Sequence, residues 1–172
     1  MIILRDDDIY LTESPTDGTL FYDFEKFKEV HELIAGAGLI HTLAICAGEI
    51  ENHPELTFYI LNRKEEFDFG IHGWMHEKYS TWLKENIKSS LFRSKAVIEA
   101  VFGVEVKWFF PPWNKRSPEM FEACKELGLK VNDEWMTLTD ALNGKKEEVI
   151  GLHYWNNEEV KQLKLYVQRQ HK

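Results

Sequence analysis

The stretch FDFGIHGWMH, residues 67–76, sets the first question about the fold. Its first half, FDFGI, is short and apolar, which is typical of a buried strand. It runs directly into two histidines four residues apart, His72 and His76, which a buried strand does not need. On one turn of helix, residues four apart lie on the same face, so we expect the two imidazoles to project together. This spacing is weak evidence alone, so its meaning depends on the residues found at the ends of the other strands.

Short apolar runs alternate with longer helical segments along the whole chain. The predicted strands span residues 2–5, 39–47, 67–71, 106–110, 130–135 and 148–155. The predicted helices span residues 24–38, 54–64, 80–103, 117–129 and 156–170, with Pro54, Ser80, Ser117 and the Asn156/Glu159 pair as start signals. This alternation predicts parallel strands joined by helical crossovers, in a barrel or an open sheet. We expect one α/β domain over residues 1–172.

Polar and reactive residues follow five of the predicted strands. In parallel α/β proteins, sites form at the carboxyl ends of the strands, so these residues should meet at one mouth. They are Asp6, Asp7 and Asp8; His72 and His76; Pro111, Pro112, Trp113 and Asn114; Asp133 and Trp135; and His153.

Composition excludes several classes of protein. A formal net charge of -8 argues against a nucleic-acid binder, which needs a basic face. The two cysteines, Cys46 and Cys124, are far apart and are predicted to be free thiols of a reducing compartment. No apolar run approaches the roughly 20 residues that span a bilayer. The N-terminus turns acidic too soon for a signal peptide, so we expect a cytoplasmic protein.

An aspartate with two histidines is a ligand set of catalytic zinc sites, which keep one position open. Cobalt, nickel or iron would also fit these ligands. The competing interpretation of the three aspartates is a solvated turn. His31, His41 and His53 lack a comparable setting and are interpreted as ordinary surface or core histidines.

The motifs, taken in order, resemble those of the polysaccharide deacetylases of the NodB-homology type, carbohydrate esterase family four. LRDDDIY (4–10) resembles the first motif, which makes Asp7 the catalytic base and Asp8 a metal ligand. A shift of one residue would instead assign these roles to Asp6 and Asp7. HGWMH (72–76) has the spacing of the second motif, so His72 and His76 would complete the metal triad.

The later motifs resemble the family less closely. FFPPWN (109–114) lacks the arginine of the third motif, which holds the catalytic aspartate, and Phe110 stands in its place. Arg5 is a candidate replacement. Asp133 and Trp135 correspond to the fourth motif, and GLHYW (151–155) supplies His153 as the general acid, with Asp133 holding its imidazolium.

The resemblance implies a distorted, incomplete (β/α) barrel with a mainly parallel sheet. It implies a metal-dependent hydrolase, with zinc as the first choice of metal, that removes acetyl groups from an N- or O-acetylated carbohydrate such as a surface-polysaccharide precursor. Two alternatives stay open, namely a sugar-binding relative with weakened chemistry and a hydrolase of non-sugar amides. The residues expected to contact substrate are Trp74, Pro112, Trp113, Asn114 and Trp135.

Overall fold

Seven parallel strands form one curled, half-barrel sheet in the computed structural model, which describes residues 2–132 and 135–170. The strand order is β5-β4-β3-β2-β1-β7-β6, so the sheet grows outward from β1 in both directions. The strands are Ile3–Ile9 (β1), His41–Ile45 (β2), Phe67–Ile71 (β3), Trp108–Phe109 (β4), Lys130–Val131 (β5), Met136–Thr137 (β6) and Val149–Leu152 (β7). The predicted α/β class and incomplete barrel are therefore confirmed.

Six helices accompany the strands in the described part of the chain. They are Phe24–Gly36 (α1), Pro54–Leu61 (α2), Lys84–Phe102 (α3), Pro118–Glu126 (α4), Leu138–Leu142 (α5) and Asn157–Gln170 (α6). None of these helices is long and apolar enough to cross a membrane. Asp23 and Ser117 cap α1 and α4 by accepting backbone N–H groups of the first turn, as their side chains favour.

The central strands are buried along most of their length, and Asp68 of β3 is the exposed exception. All five residues of β2 are buried, including the polar His41 and Thr42. Parallel strands that are buried on both faces are typically apolar at both alternating positions, and Leu43, Ala44 and Ile45 fit this pattern. Cys46 and Cys124 are free thiols, as predicted, and both are buried.

Several predicted boundaries are wrong. The long helix α3 begins at Lys84 and not at Ser80, because residues Tyr79–Thr81 form a separate 3-10 turn. The predicted strand 130–135 is only two residues long, and β6 and α5 after it were not expected. Two-residue strands carry no alternation for a sequence to reveal. The start of α5 did carry a signal, a Thr137/Asp140 capping box.

Strand β1 contains the irregularity that positions the site. Its pairing with β2 shifts register between Asp6 and Ile9. Within that interval Asp8 adopts a left-handed backbone conformation, with φ of 63°. Such conformations are uncommon outside glycine and are found at bulges and functional sites, where they redirect a side chain.

Candidate active site

Asp8, His72 and His76 converge at the carboxyl end of the sheet. Their ligand atoms all lie within 4.8 Å of one another, and all three residues are buried. The Nε2 atoms of His72 and His76 lie 3.4 and 3.1 Å from Asp8 Oδ1. That oxygen has no hydrogen-bond partner. A buried carboxylate oxygen facing two imidazole nitrogens is the arrangement that a divalent cation would complete.

The bulge in β1 explains how neighbouring aspartates reach the same mouth. In a regular strand Asp7 and Asp8 would point to opposite faces, but the left-handed Asp8 breaks this alternation. Asp6 keeps the other direction, toward the helix-covered face. There it accepts a hydrogen bond from the Tyr154 N–H at 2.9 Å and bonds His41 Nε2 at 3.1 Å. The geometry therefore groups Asp8, and not Asp7 or Asp6, with the two histidines.

The segment from His72 to His76 is an irregular loop, so the predicted helical turn is wrong. Gly73 and His76 both have positive φ, of 102° and 61°, which a helix does not allow. The Glu77 carboxylate accepts the Trp74 N–H at 2.9 Å and the Tyr79 hydroxyl at 2.8 Å, and this closes the loop in place of helical hydrogen bonds. The loop still brings both imidazoles to Asp8.

Hydrogen bonding and charge prepare these residues for a cation. His72 Nδ1 donates a hydrogen bond to the Phe110 carbonyl oxygen at 2.7 Å, which leaves Nε2 as the free ligand atom. Burial lowers the pKa of His76 to about 4, and proximity to His72 acts in the same direction, so its imidazole is neutral. Burial alone would raise the pKa of Asp8, but the adjacent imidazoles of His72 and His76 lower it to about 2.

Arg5 forms an ion pair with Asp7, the contact that the absent third-motif arginine was expected to make. Its guanidinium donates to Asp7 Oδ2 at 2.7 Å, and both side chains are buried. Residues two apart on a strand share a face, so β1 supplies both partners. The guanidinium lies over the rings of Phe110 and Trp135, 5.2 and 5.5 Å from their centroids. Gly151 leaves room for Trp135, since a Cβ there would lie 2.8 Å from the indole.

His153 faces Oδ2 of Asp8, whereas His72 and His76 face Oδ1. Its Nε2 is 3.8 Å from Asp8 Oδ2, and its Nδ1 is 3.1 Å from Glu159 Oε2. Burial lowers the pKa of His153, but the Glu159 hydrogen bond and the charge of Asp7 outweigh it and raise the pKa to about 9. Asp133, which we expected to hold this imidazole, lies outside the described residues; Glu159 occupies Nδ1.

Sequence reasoning missed the role of Glu159. The Asn156/Glu159 spacing suggested a capping box, in which Glu159 would accept the Asn156 backbone N–H. Asn156 does accept the Glu158 N–H at 3.0 Å. Glu159 instead accepts the His153 backbone N–H, at 2.6 Å. A cap signal next to a candidate catalytic histidine was the only trace of this contact in the sequence.

A cavity of about 490 Å³ opens above these groups. Of the residues expected to contact substrate, Trp113, Asn114 and Trp135 line it. Trp74 and Pro112 are not in its described lining. Trp74 instead packs under the Arg93 guanidinium, 3.5 Å from the ring centroid. The lining also includes Trp155, and residues that the sequence did not single out, namely Ser14, Pro15, Thr16, Phe21 and Lys115.

The family assignment follows from comparison with known proteins. Residues 17–132 match the model of the polysaccharide deacetylase family. This range includes His72 and His76 but neither β1 nor His153. No curated protein sequence matches the chain significantly.

Solved structures extend the similarity to the whole fold. A CE4 family pseudoenzyme from Bacillus anthracis has a TM-score of 0.77 at 12% identity, covering 99% of this chain and 60% of its own. A family 4 carbohydrate esterase from Streptomyces lividans, in complex with acetate, has a TM-score of 0.71 at 15% identity, covering 97% of this chain and 85% of its own. The peptidoglycan deacetylase PdaC from Bacillus subtilis has a TM-score of 0.72 at 14% identity, with coverages of 98% and 82%.

This chain thus spans about 60% of the length of the pseudoenzyme structure. At these identities the structural matches show a shared fold, and the family model supplies the assignment. The matched range is well over half of the chain, and the protein belongs to the polysaccharide deacetylase family.

Proposed function

We propose that this protein is a metal-dependent hydrolase that removes acetyl groups from an N- or O-acetylated carbohydrate. One observation carries the proposal. A carboxylate held by an arginine, a buried Asp-His-His triad and a histidine held by a glutamate all line one cavity. These are the base, metal site and acid that amide or ester hydrolysis requires.

The metal would be held by Asp8, His72 and His76. Two imidazole nitrogens and one carboxylate oxygen favour zinc over magnesium, while cobalt, nickel and iron also suit these ligands. A divalent cation in this site supplies Lewis-acid chemistry, which polarises a carbonyl group and acidifies water. The buried oxygen of Asp8 that has no hydrogen-bond partner supports this assignment.

Asp7 is the proposed general base. Arg5 fixes its Oδ2, whereas its buried Oδ1 has no hydrogen-bond partner. A base needs one oxygen that is free to take a proton while the other holds the carboxylate in position.

His153 is the proposed general acid. The carboxylate of Glu159 binds Nδ1–H, so Nε2 is the atom left to give its proton to the leaving amine or hydroxyl group. Nε2 lies 3.8 Å from Asp8 Oδ2, which keeps the proposed acid beside the proposed metal site. The role expected of Asp133, holding this imidazole, passes to Glu159 in the proposal.

A sugar-binding protein without the chemistry is the second candidate. Two observations favour it, namely the phenylalanine at the third-motif arginine position and the similarity to a CE4 family pseudoenzyme. The Arg5–Asp7 ion pair argues against it, because the guanidinium that Phe110 cannot supply reaches the base from another strand.

Acetate release from a panel of acetylated sugars and nucleotide sugars tests the proposal, with zinc content measured on protein purified without chelator. Bound zinc with acetate release from a sugar supports it. Bound zinc with release only from non-sugar amides would instead indicate a hydrolase of a different substrate class. Tight sugar binding with neither zinc nor acetate release would leave the binding protein as the answer. The cytoplasmic location stays a prediction.

A further inference from the structure

Asp8 has a second contact, at the oxygen that His72 and His76 do not face. The indole Nε1 of Trp155 lies 3.3 Å from Asp8 Oδ2, and an indole N–H can only donate. The two oxygens of this carboxylate therefore have different surroundings. Oδ1 faces the imidazole nitrogens of His72 and His76, and Oδ2 accepts a hydrogen bond from the indole N–H.

The Trp155 ring is itself held in place. Its face stacks on Phe21, with ring centroids 4.1 Å apart and an interplanar angle of 8°. Phe21 belongs to the strap, residues 11–22, which joins β1 to α1 across the mouth. Trp155 packs on the small apolar cluster of Phe21, Leu11 and Cys46. The Lys26 ammonium lies 3.5 Å from the Trp155 carbonyl oxygen, which adds a backbone contact.

We infer that Trp155 is a positioning residue for the metal ligand Asp8. By occupying Oδ2 it restricts Asp8 to coordination through Oδ1 alone. A triad with one oxygen and two nitrogens leaves room around the ion, as a catalytic site requires. Hydrogen-bonding partners that orient metal ligands typically contribute about tenfold to a hundredfold in metal affinity or activity. The inference rests on the metal site proposed above.

This contact ties the strap to the metal site. Phe21 of the strap stacks on the Trp155 ring, and the Trp155 indole N–H donates a hydrogen bond to Asp8. Loss of the stack should therefore weaken the metal site less than loss of the indole donor, because Phe21 acts only through the orientation of Trp155.

The decisive variant is Trp155→Phe, which keeps an aromatic ring for the stack and removes the donor. Zinc affinity is measured by competition with a chromophoric chelator. The dissociation constant should rise about tenfold to a hundredfold. Trp108→Phe is the matched control, since its ring lies beside Lys130 and is not in the described lining of the cavity, and it should leave the constant unchanged. Phe21→Leu should give a smaller rise than Trp155→Phe.

Cobalt substitution provides a reading that a packing defect would not move. In Trp155→Phe, Oδ2 is released and can join the coordination sphere, so the visible absorption of the cobalt protein should weaken as coordination number rises. Should this variant fail to fold, the indole N–H resonances of the unmodified protein still test the contact. One of them should shift when zinc is added, and the same resonance should be displaced in the Asp8→Asn variant.

The outcomes separate this inference from the proposed function. If the unmodified protein binds no zinc, the metal site itself is wrong. If it binds zinc and folded Trp155→Phe matches it in both affinity and cobalt spectrum, Trp155 has no positioning role. An unshifted set of indole resonances would overturn the inference in the same way.

Discussion

Two clusters of histidines and carboxylates lie on opposite faces of β1. The mouth cluster consists of Asp7, Asp8, His72 and His76. The back network consists of Asp6, His41, His31 and Glu66, under the helix-covered face. Among the described residues, the buried side-chain atoms without a hydrogen-bond partner include Asp7 Oδ1, Asp8 Oδ1 and His76 Nδ1, and none belongs to the back network.

The back network is closed. Asp6 contacts His41 at 3.1 Å, His41 contacts His31 at 3.4 Å, and His31 contacts Glu66 at 2.9 Å. Burial raises the pKa of Asp6 well above its ordinary value and lowers that of His41 to about 3, so the His41 imidazole is neutral. Every member has a partner, as buried polar groups in a folded core require.

The comparison teaches that residue type does not distinguish a site from a structural network. Histidine and aspartate occur in both clusters at similar distances. The difference is that polar atoms of the mouth cluster stay unpaired where they converge, which is costly unless a ligand binds there. Variants of the two clusters and of their neighbours test this difference, from the largest expected effect to the smallest.

The largest effect is expected from His72→Ala combined with His76→Ala. Loss of two of three ligands should remove bound zinc and any acetate release, while far-UV circular dichroism stays near normal. Metal analysis of the purified variant is the measurement.

The matched control is His41→Gln in the back network. It should keep its zinc and lower the free energy of unfolding by about 1–3 kcal/mol, because buried partners lose their hydrogen bonds. Retention of one equivalent of zinc by the double variant would contradict the assignment of the mouth cluster.

Asp7→Asn should lower the rate of acetate release by about a hundredfold or more, since the amide cannot take a proton. Its zinc content should not change. Asp6→Asn is the neighbouring control and should have much less effect on the rate, because Asp6 faces the back network. The opposite ranking of the two variants in steady-state assays would mean that the base lies elsewhere.

Arg5→Met should destabilise the fold as well as the reaction. Removing one partner of a buried ion pair leaves the other charge uncompensated, which costs about 3–5 kcal/mol. Denaturant unfolding measures this loss, and acetate release should fall in the same protein. Arg93→Met is a suitable control, because Arg93 is exposed and its guanidinium lies over the Trp74 ring, away from Asp7. Equal destabilisation by both variants would show that the Arg5–Asp7 pair carries no special energy.

The smallest effect concerns His153 in metal-free protein. Its pKa of about 9 exceeds the ordinary 6.5, so folding favours the protonated form. This contribution to stability is fully present below about pH 6.5 and is lost as the pH rises through about 9. Glu159→Gln removes the charge at Nδ1, so it should lower the His153 pKa and narrow that window. Titration of the imidazole resonance by NMR measures both proteins, and an unchanged pKa would rule out Glu159 as its partner.

Most of the order of elements, and the meeting of the aspartates with His72 and His76, were predictable from the sequence, because both depend on where short strands end; β6 and α5 were not predicted. Asp8, His72 and His76 each lie at or just after a strand end, and parallel strands end at one edge. Helix α1 and strand β2 could also be told apart in the sequence, since an amphipathic helix and a buried strand differ in the period of their apolar residues.

The sequence could not reveal contacts that depend on backbone exceptions or on distant partners. The left-handed Asp8 has no glycine to announce it. The sequence therefore could not decide between the pairs Asp7/Asp8 and Asp6/Asp7, because that choice depends on the bulge. Trp155 meets Asp8 across 147 residues, and no local spacing encodes that. His31 and His41 were interpreted as ordinary surface or core histidines; the structure places both in the core and joins them in a chain of hydrogen bonds that no local spacing encodes.

The position of Arg5 has a consequence for how the site tolerates motion. In the family pattern described for the third motif, the arginine reaches the base from β4, which here is a two-residue strand near the edge of the sheet. Arg5 and Asp7 instead sit two residues apart on one central strand that is paired on both sides. Short edge elements open locally at lower free energy than central ones. Transient fraying of β4 would therefore leave the ion pair intact, and the Asp7 carboxylate would keep its orientation in states where the edge of the barrel has opened.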